Sequence, residues 1–168
     1  MAEPLLNDEL KSWIGREVRY QAREELGRAS IRYFALAIDD ENPLYQDDDY
    51  AREAGYPSLV APPTFAVETC QYAHGRPDGN GYMGHSWELP ITNCRMIRAG
   101  NDYEFMRPVL PDDRISITWT LEDMVERTSS RGGSQLFVTT VGRYFDAEGE
   151  LVAINRETTV YQPLAGEQ

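Results

Sequence analysis

The sequence predicts an α+β fold, with helices gathered in the first half of the chain and an antiparallel run of strands in the second. Three observations carry that prediction. Helical hydrophobic spacing is confined to the early part of the chain, as in Ile31, Phe34, Ala35 and Ile38 at i, i+3, i+4 and i+7. Strict alternation takes over after Trp87, most plainly in Ile115, Ile117, Trp119 and Leu121. Between two such alternating runs, Asp146-Ala147-Glu148-Gly149 has the composition of a hairpin turn.

The elements follow in order. Residues 4–13 read as a leading helix, with Asn7 as its cap and Gly15 just past its end. In 17–24, Val18, Tyr20 and Ala22 alternate with polar and charged neighbours, as in a half-buried strand. The amphipathic helix after Gly27 delivers Asp39 and Asp40 at its C-terminal end. Carboxylates there oppose the helix dipole at a cost of ~0.3–1 kcal/mol each, and residues that break a local rule gather at functional sites. Asp47, Asp48 and Asp49 suit the first turn of a short helix closed by Gly55, where negative charge is favoured. They read as a solvated cap, because the further spaced oxygens of a calcium loop are missing. Pro62 and Pro63 fit the start of a second helix, where a missing N–H costs little. That helix runs from Thr64 to Ala73 and carries an apolar stripe of Phe65, Ala66, Thr69, Cys70 and Ala73. Residues 75–86 form a glycine-rich loop. Strands are expected at 88–98, 101–107, 114–126, 135–146 and 150–161.

Length and composition bound the function. A chain of 168 residues with 41% hydrophobic and 26% charged residues is expected to form one domain, 1–168, with its core over about 8–162. No stretch reaches the ~18 apolar residues of a membrane span. The acidic start MAEPLLNDELKSW lacks a signal peptide's basic and apolar regions, so a cytoplasmic protein without a membrane partner is expected. A net charge of −12 with no basic tract argues against nucleic acid. Lys11 is the only lysine, which disfavours Schiff-base chemistry. Cys70, Cys94, His74 and His85 make no zinc-ligand spacing, and no metal or cofactor is expected. Cys70 and His74 share a helical face, but a buried cysteine on an apolar helix is the preferred reading over a nucleophile.

The segment from Ala35 to Phe65, ALAIDDENPLYQDDDYAREAGYPSLVAPPTF, holds the chemistry. Asp40, Asn42 and Pro43 resemble the Asp-x-Asn-Pro turn of the MaoC-like, hotdog-fold hydratases and dehydratases of acyl thioesters. The order continues with the APPT helix start, then GNDYEFMRPVLPDDRI, which is similar to the family's Arg-Pro-Val strand and turn. The closing strands resemble the family's N-terminal-type branch, and the likeness spans residues 8–162. It implies a hotdog fold, an antiparallel sheet wrapped around the central helix.

In the family's catalytic members the turn's aspartate and a histidine five residues later activate a water. The water adds to the β-carbon of a trans-2-enoyl thioester, and the α-carbon gains a proton. Here the histidine position holds Tyr45. A phenol titrates near ~10 against ~6.5 for imidazole, so Tyr45 is a poor base at neutral pH. Those members also begin the central helix Ala-His-Gly, the glycine N–H supporting the thioester oxyanion. Ala61, Pro62 and Pro63 stand there instead, and Pro63 has no N–H.

The resemblance thus implies a subunit of an enoyl-CoA hydratase or (3R)-hydroxyacyl thioester dehydratase, the non-catalytic, acyl-binding partner of a catalytic hotdog subunit. Its expected partners are an acyl-CoA or acyl-carrier thioester and a second hotdog, in a hetero-oligomer or a homodimer. Asp40, Asn42 and Tyr45 form the vestigial catalytic set, with Ala61, Pro63, Thr64 and His85 lining the substrate. Two alternatives stay open. One is a self-sufficient hydratase using Asp40 with Tyr45 or His85. The other is a hotdog acyl-CoA thioesterase or thioester-binding module, since a fold does not fix a function. Asp40 to Pro43 are also ordinary turn residues, and Arg95, Arg98, Arg107 and Arg114 are expected mostly to balance 28 acidic residues.

Overall fold

The computed structural model describes residues 4–68, 83–128 and 133–164. Helices lead. α1 (Asp8–Lys11) is capped by the Asn7 side chain, which accepts a hydrogen bond from the Leu10 N–H. Strand β1 (Glu17–Gln21) and helix α2 (Arg28–Ala37) follow. A single 3-10 turn (Pro43–Tyr45), α3 (Asp48–Glu53) and α4 (Phe65–Glu68) complete this half. Four long strands make up the rest: β2 (Cys94–Phe105), β3 (Ser116–Thr128), β4 (Ser134–Phe145) and β5 (Leu151–Pro163). They join β1 in one antiparallel sheet of order β1-β3-β4-β5-β2.

α2 buries Ile31 and Ala35 completely. The expected fourth position of its stripe does not hold. The helix stops at Ala37, Ile38 becomes its C-cap, and that side chain is left 48% exposed. Past the helix, Asp39 takes a left-handed conformation with φ 57°. α4 carries Phe65, Ala66 and Val67 into one buried cluster with Ile31, Ile117, Trp119 and Tyr144, as a central helix requires. The expected continuation through Thr69, Cys70 and Ala73, and residues 75–82 of the glycine-rich loop, lie outside the described residues. A second cluster gathers Leu10 of α1 with Leu121, Met124, Leu136 and Val138 of the sheet.

The strand predictions need one correction. The two strands expected at 88–98 and 101–107 are a single strand from 94 to 105, and 88–93 stays outside the sheet. Ala99-Gly100-Asn101 reads as a break but makes only a bulge between Arg98 and Gly100, after which the ladder to β5 resumes. The 146–149 hairpin forms as expected. Asp146 Oδ1 accepts from the N–H groups of Glu148 and Glu150, and Gly149 adopts φ 87°.

Ile115, Ile117, Trp119 and Leu121 are all buried. The Trp119 ring lies across β4 at Gly142, its strand partner. A Cβ on Gly142 would stand 2.8 Å from Trp119 Cζ3 and 3.1 Å from Ile117 Cδ1. Gly142→Ala is therefore expected to lower stability by about 1–3 kcal/mol through overpacking, read as a shift of the urea midpoint at unchanged slope.

Candidate functional site

The acidic turn is built by side chains closing on nearby backbone. The Asp40 N–H bonds back to the Ala35 carbonyl at 2.9 Å, which ends α2. Asp40 Oδ1 accepts from the Asn42 N–H at 3.0 Å, and Asn42 Oδ1 from the Leu44 N–H at 3.1 Å. Pro43 opens the 3-10 turn, and Asp47 caps α3 by accepting from the N–H groups of Asp49 and Tyr50. The three aspartates are thus a helix cap: Asp47 is the cap, Asp48 pairs with Arg28, and Asp49 with Arg52.

Tyr45 turns inward from this segment and is 9% exposed. Burial, followed by the nearby Asp40 carboxylate, pushes its phenol pKa up; a hydrogen bond with the Asn42 side chain pulls the other way. Tyr45 is a neutral hydrogen-bonding group at pH 7 and further from being a base than a free tyrosine.

Tyr45 opens onto a cavity of about 310 Å³ that it shares with Tyr56, Ala61, Pro63, Phe105 and Arg107. At Ala61 and Pro63 on its wall, and at the buried Pro62 between them, the backbone offers no free donor. The Ala61 N–H is bonded to the Val109 carbonyl at 2.8 Å, and neither proline has an N–H. Thr64 follows half-buried, its carbonyl accepting from the Val67 N–H. The structure therefore brings Tyr45, Ala61 and Pro63 to one cavity, with Asn42 hydrogen-bonded to Tyr45 and Asp40 adjoining it in the turn.

His85 lies elsewhere. It lines a second cavity, which shares no wall residue with the first. Its Nδ1 is 3.0 Å from the Tyr20 hydroxyl, and its ring packs edge-on to Trp87 and stacks near Trp119. Burial lowers its pKa from 6.5 to about 4. The sign follows from linkage: the unfolded chain takes up the imidazole proton first as pH falls. His85 thus weakens the fold between about pH 6.5 and 4. Replacing it with Phe is expected to flatten the stability profile over that interval, measured by urea titration at several pH values.

Sequence reading missed the role of Arg107. Its guanidinium donates to both oxygens of Asp113, at 2.8 and 2.9 Å, and to Asp146 at 2.8 Å. This ties the loop after β2 to the β4–β5 hairpin. The signal was present as an arginine six residues before an aspartate, but its second partner comes from a distant turn. The other arginines are also engaged: Arg98 with Glu157, Arg95 with Gln162, and Arg114 with the Ala22 carbonyl.

Among the described residues, a five-stranded antiparallel sheet packed on an apolar helix, with an Asp-x-Asn-Pro turn beside a cavity, fits a hotdog protein of the hydratase and dehydratase class. The chain belongs to the MaoC-like hotdog dehydratase family. Residues 12–155 match the family described as FAS1-like, dehydratase domain region. A UPF0336 protein of Saccharopolyspora erythraea is 33% identical over 150 residues, covering 89% of each chain. A probable enoyl-CoA hydratase alpha subunit of Thermomonospora curvata is 26% identical across 88% of this chain, which spans 49% of that protein. Among solved structures, the ChsH1-ChsH2 complex from Mycobacterium tuberculosis holds a chain with TM-score 0.68 and 26% identity, covering 89% of this chain and 85% of its own. No helix of the described residues is long and apolar enough to cross a membrane.

Proposed function

We propose that this chain is the non-catalytic, acyl-binding member of a two-subunit hotdog enoyl-CoA hydratase or (3R)-hydroxyacyl thioester dehydratase. The carrying observation is a paired deficiency in one cavity. The position of the base holds a buried phenol with a raised pKa, and the wall where an oxyanion donor belongs has no available N–H. Water addition to an enoyl thioester needs a proton acceptor poised near neutrality. It also needs a donor where negative charge develops on the thioester oxygen. Both have to come from another hotdog.

The cavity itself suits a thioester arm. It is largely apolar, and Arg107, its one cation among the described residues, is neutralised by two aspartates. The edge of the sheet supports a partner. β2 is twelve residues long and exposed along nearly its whole length, with Met96 at 55% and Ile97 and Phe105 also accessible. Such an edge is normally covered or paired, and a second hotdog joining the sheet there would do both. The naming of one relative as an alpha subunit, and the two-protein composition of one structural neighbour, agree with that reading.

The test is hydration of crotonyl-CoA by the purified chain, alone and mixed with a hotdog protein that keeps the Asp-x-Asn-Pro-x-His turn. Activity only in the mixture supports the proposal. Full activity of the chain alone overturns it.

A further inference from the structure

The open edge of the sheet carries a charge pattern that only strand pairing reveals. Along β5, Arg95 stands opposite Gln162, Ile97 opposite Val160, Asp102 opposite Arg156 and Glu104 opposite Ile154. Alternate residues of a strand share a face, so these four side chains of β2 lie on one face. It is the face turned away from Trp119, because Asn155 of β5 lies in the row that runs through Gly142 to Trp119. An odd-numbered arginine and an even-numbered glutamate come together there because the bulge after Arg98 leaves Ala99 without a partner.

Arg95 and Glu104 stand eight ladder positions apart, which is ~26 Å at ~3.3 Å per residue. Exposed charges are screened within ~8 Å at physiological salt, so the two ends act separately and do not cancel. Neither end is neutralised within the chain. Arg95 is exposed and donates to the side chain of Gln162, a neutral amide. Asp102 and Glu104 are exposed and form no ion pair among the described residues, while Arg156, which feels both, is paired with Glu122. Arg98 adds nothing to this face, since it pairs with Glu157 on the other. The strand therefore presents a cation, then an apolar side chain, then two carboxylates.

We propose that this pattern selects the catalytic hotdog and fixes its direction. The partner's edge strand runs antiparallel to β2, with a carboxylate opposite Arg95, an apolar side chain opposite Ile97 and cations opposite Asp102 and Glu104. The inference rests on the two-subunit reading above and states what the partner of that reading has to carry. A second copy of this chain fits less well. The register that sets its Glu104 against Arg95 also sets its Asp102 against Ile97, a carboxylate against an apolar side chain, twice by symmetry. A second copy would also repeat the missing base and the missing oxyanion donor.

The test measures the affinity of the full-length chain for the hotdog protein that gives an active mixture. Reversing the pattern with Arg95→Glu, Asp102→Arg and Glu104→Arg is expected to weaken the complex at least ~10-fold, because like charges facing each other across an interface are costly. Reversing the partner's facing charges as well is expected to restore affinity to within ~3-fold of wild type. The neutral set Arg95→Gln, Asp102→Asn and Glu104→Gln is expected to bind at least ~3-fold more weakly at low salt and to lose the salt dependence of the wild-type complex. Urea midpoints of the variants separate lost pairing from lost folding, and the neutral set, which adds no charge, decides if the reversed set is unstable. A reversed or neutral set that binds like wild type overturns the inference. So does a partner reversal that restores nothing, or a partner edge without the facing charges. If no hotdog with an intact turn gives an active mixture, the two-subunit reading falls and takes this one with it, an outcome distinct from an active complex that ignores these charges.

Discussion

Purified alone, this chain is expected to hydrate short trans-2-enoyl-CoA at least ~100-fold more slowly than a hotdog with an intact turn. The expectation sums two defects in one cavity. Loss of a positioned general base typically removes ~10²–10⁴ in rate. Loss of one oxyanion donor removes ~10²–10³. Groups that act as a unit are not additive, so Tyr45→His alone is expected to recover little. In the active mixture, Asp40→Asn should leave turnover nearly unchanged, because Asp40 Oδ1 serves the Asn42 backbone. The same substitution at the partner's aspartate should abolish it. If instead Asp40→Asn abolishes turnover while the partner's aspartate proves dispensable, the chemistry happens in this chain and the proposal is wrong.

Arg107→Ala is expected to be strongly destabilising. It removes three charge-assisted hydrogen bonds and leaves Asp113 and Asp146 near each other without their shared cation. Breaking a fully buried pair costs ~3–5 kcal/mol. Arg107 is partly exposed, so solvent screening brings the expectation to about 2–4 kcal/mol. The loss also has a pH signature. Arg107 holds the Asp146 carboxyl below its ordinary 3.8. That stabilisation is fully present above this value and is lost as pH falls through and below it. Wild type and Arg107→Ala should therefore differ most at neutral pH and converge in acid. Denaturant titration at both ends of the range checks this. Arg107→Lys should recover only part of the loss, since an ammonium cannot reproduce the two-oxygen fork to Asp113.

The fold was largely legible because its signals are local. Alternation at Ile115 to Leu121 and the Asp146–Gly149 turn report strand and hairpin through neighbouring residues alone. The misread break at Gly100 shows the limit of that logic. Whether a glycine ends a strand or bulges it depends on the partner strand, here β5, which the local sequence does not contain. Ile38 failed similarly, because its fate was set by where α2 stopped rather than by its spacing from Ile31. In the site, the turn from Asp40 to Tyr45 was readable since its hydrogen bonds run over two to five residues. The Arg107 clamp and the shared face of Arg95 and Glu104 were not, since each joins residues brought together only by strand register. His85 shows the converse: its chemistry suggested a place beside Asp40, and packing against Tyr20, Trp87 and Trp119 gave it another.

The Ala61-Pro62-Pro63 wall has a consequence for how such a chain can change over generations. On the proposed reading, its lack of an oxyanion donor is written in the backbone. One N–H is already bonded to Val109, and two proline rings exclude the others. No change at Tyr45 reaches that defect, and no change at Pro63 supplies a base. Because the two functions act together, each single step back toward catalysis brings almost no gain for selection to keep. Replacing Pro63 would also give up a ring that presets the entry to the central helix. On the non-catalytic reading proposed above, a lineage that arrives at this arrangement is held there by the shape of its own mutational neighbourhood.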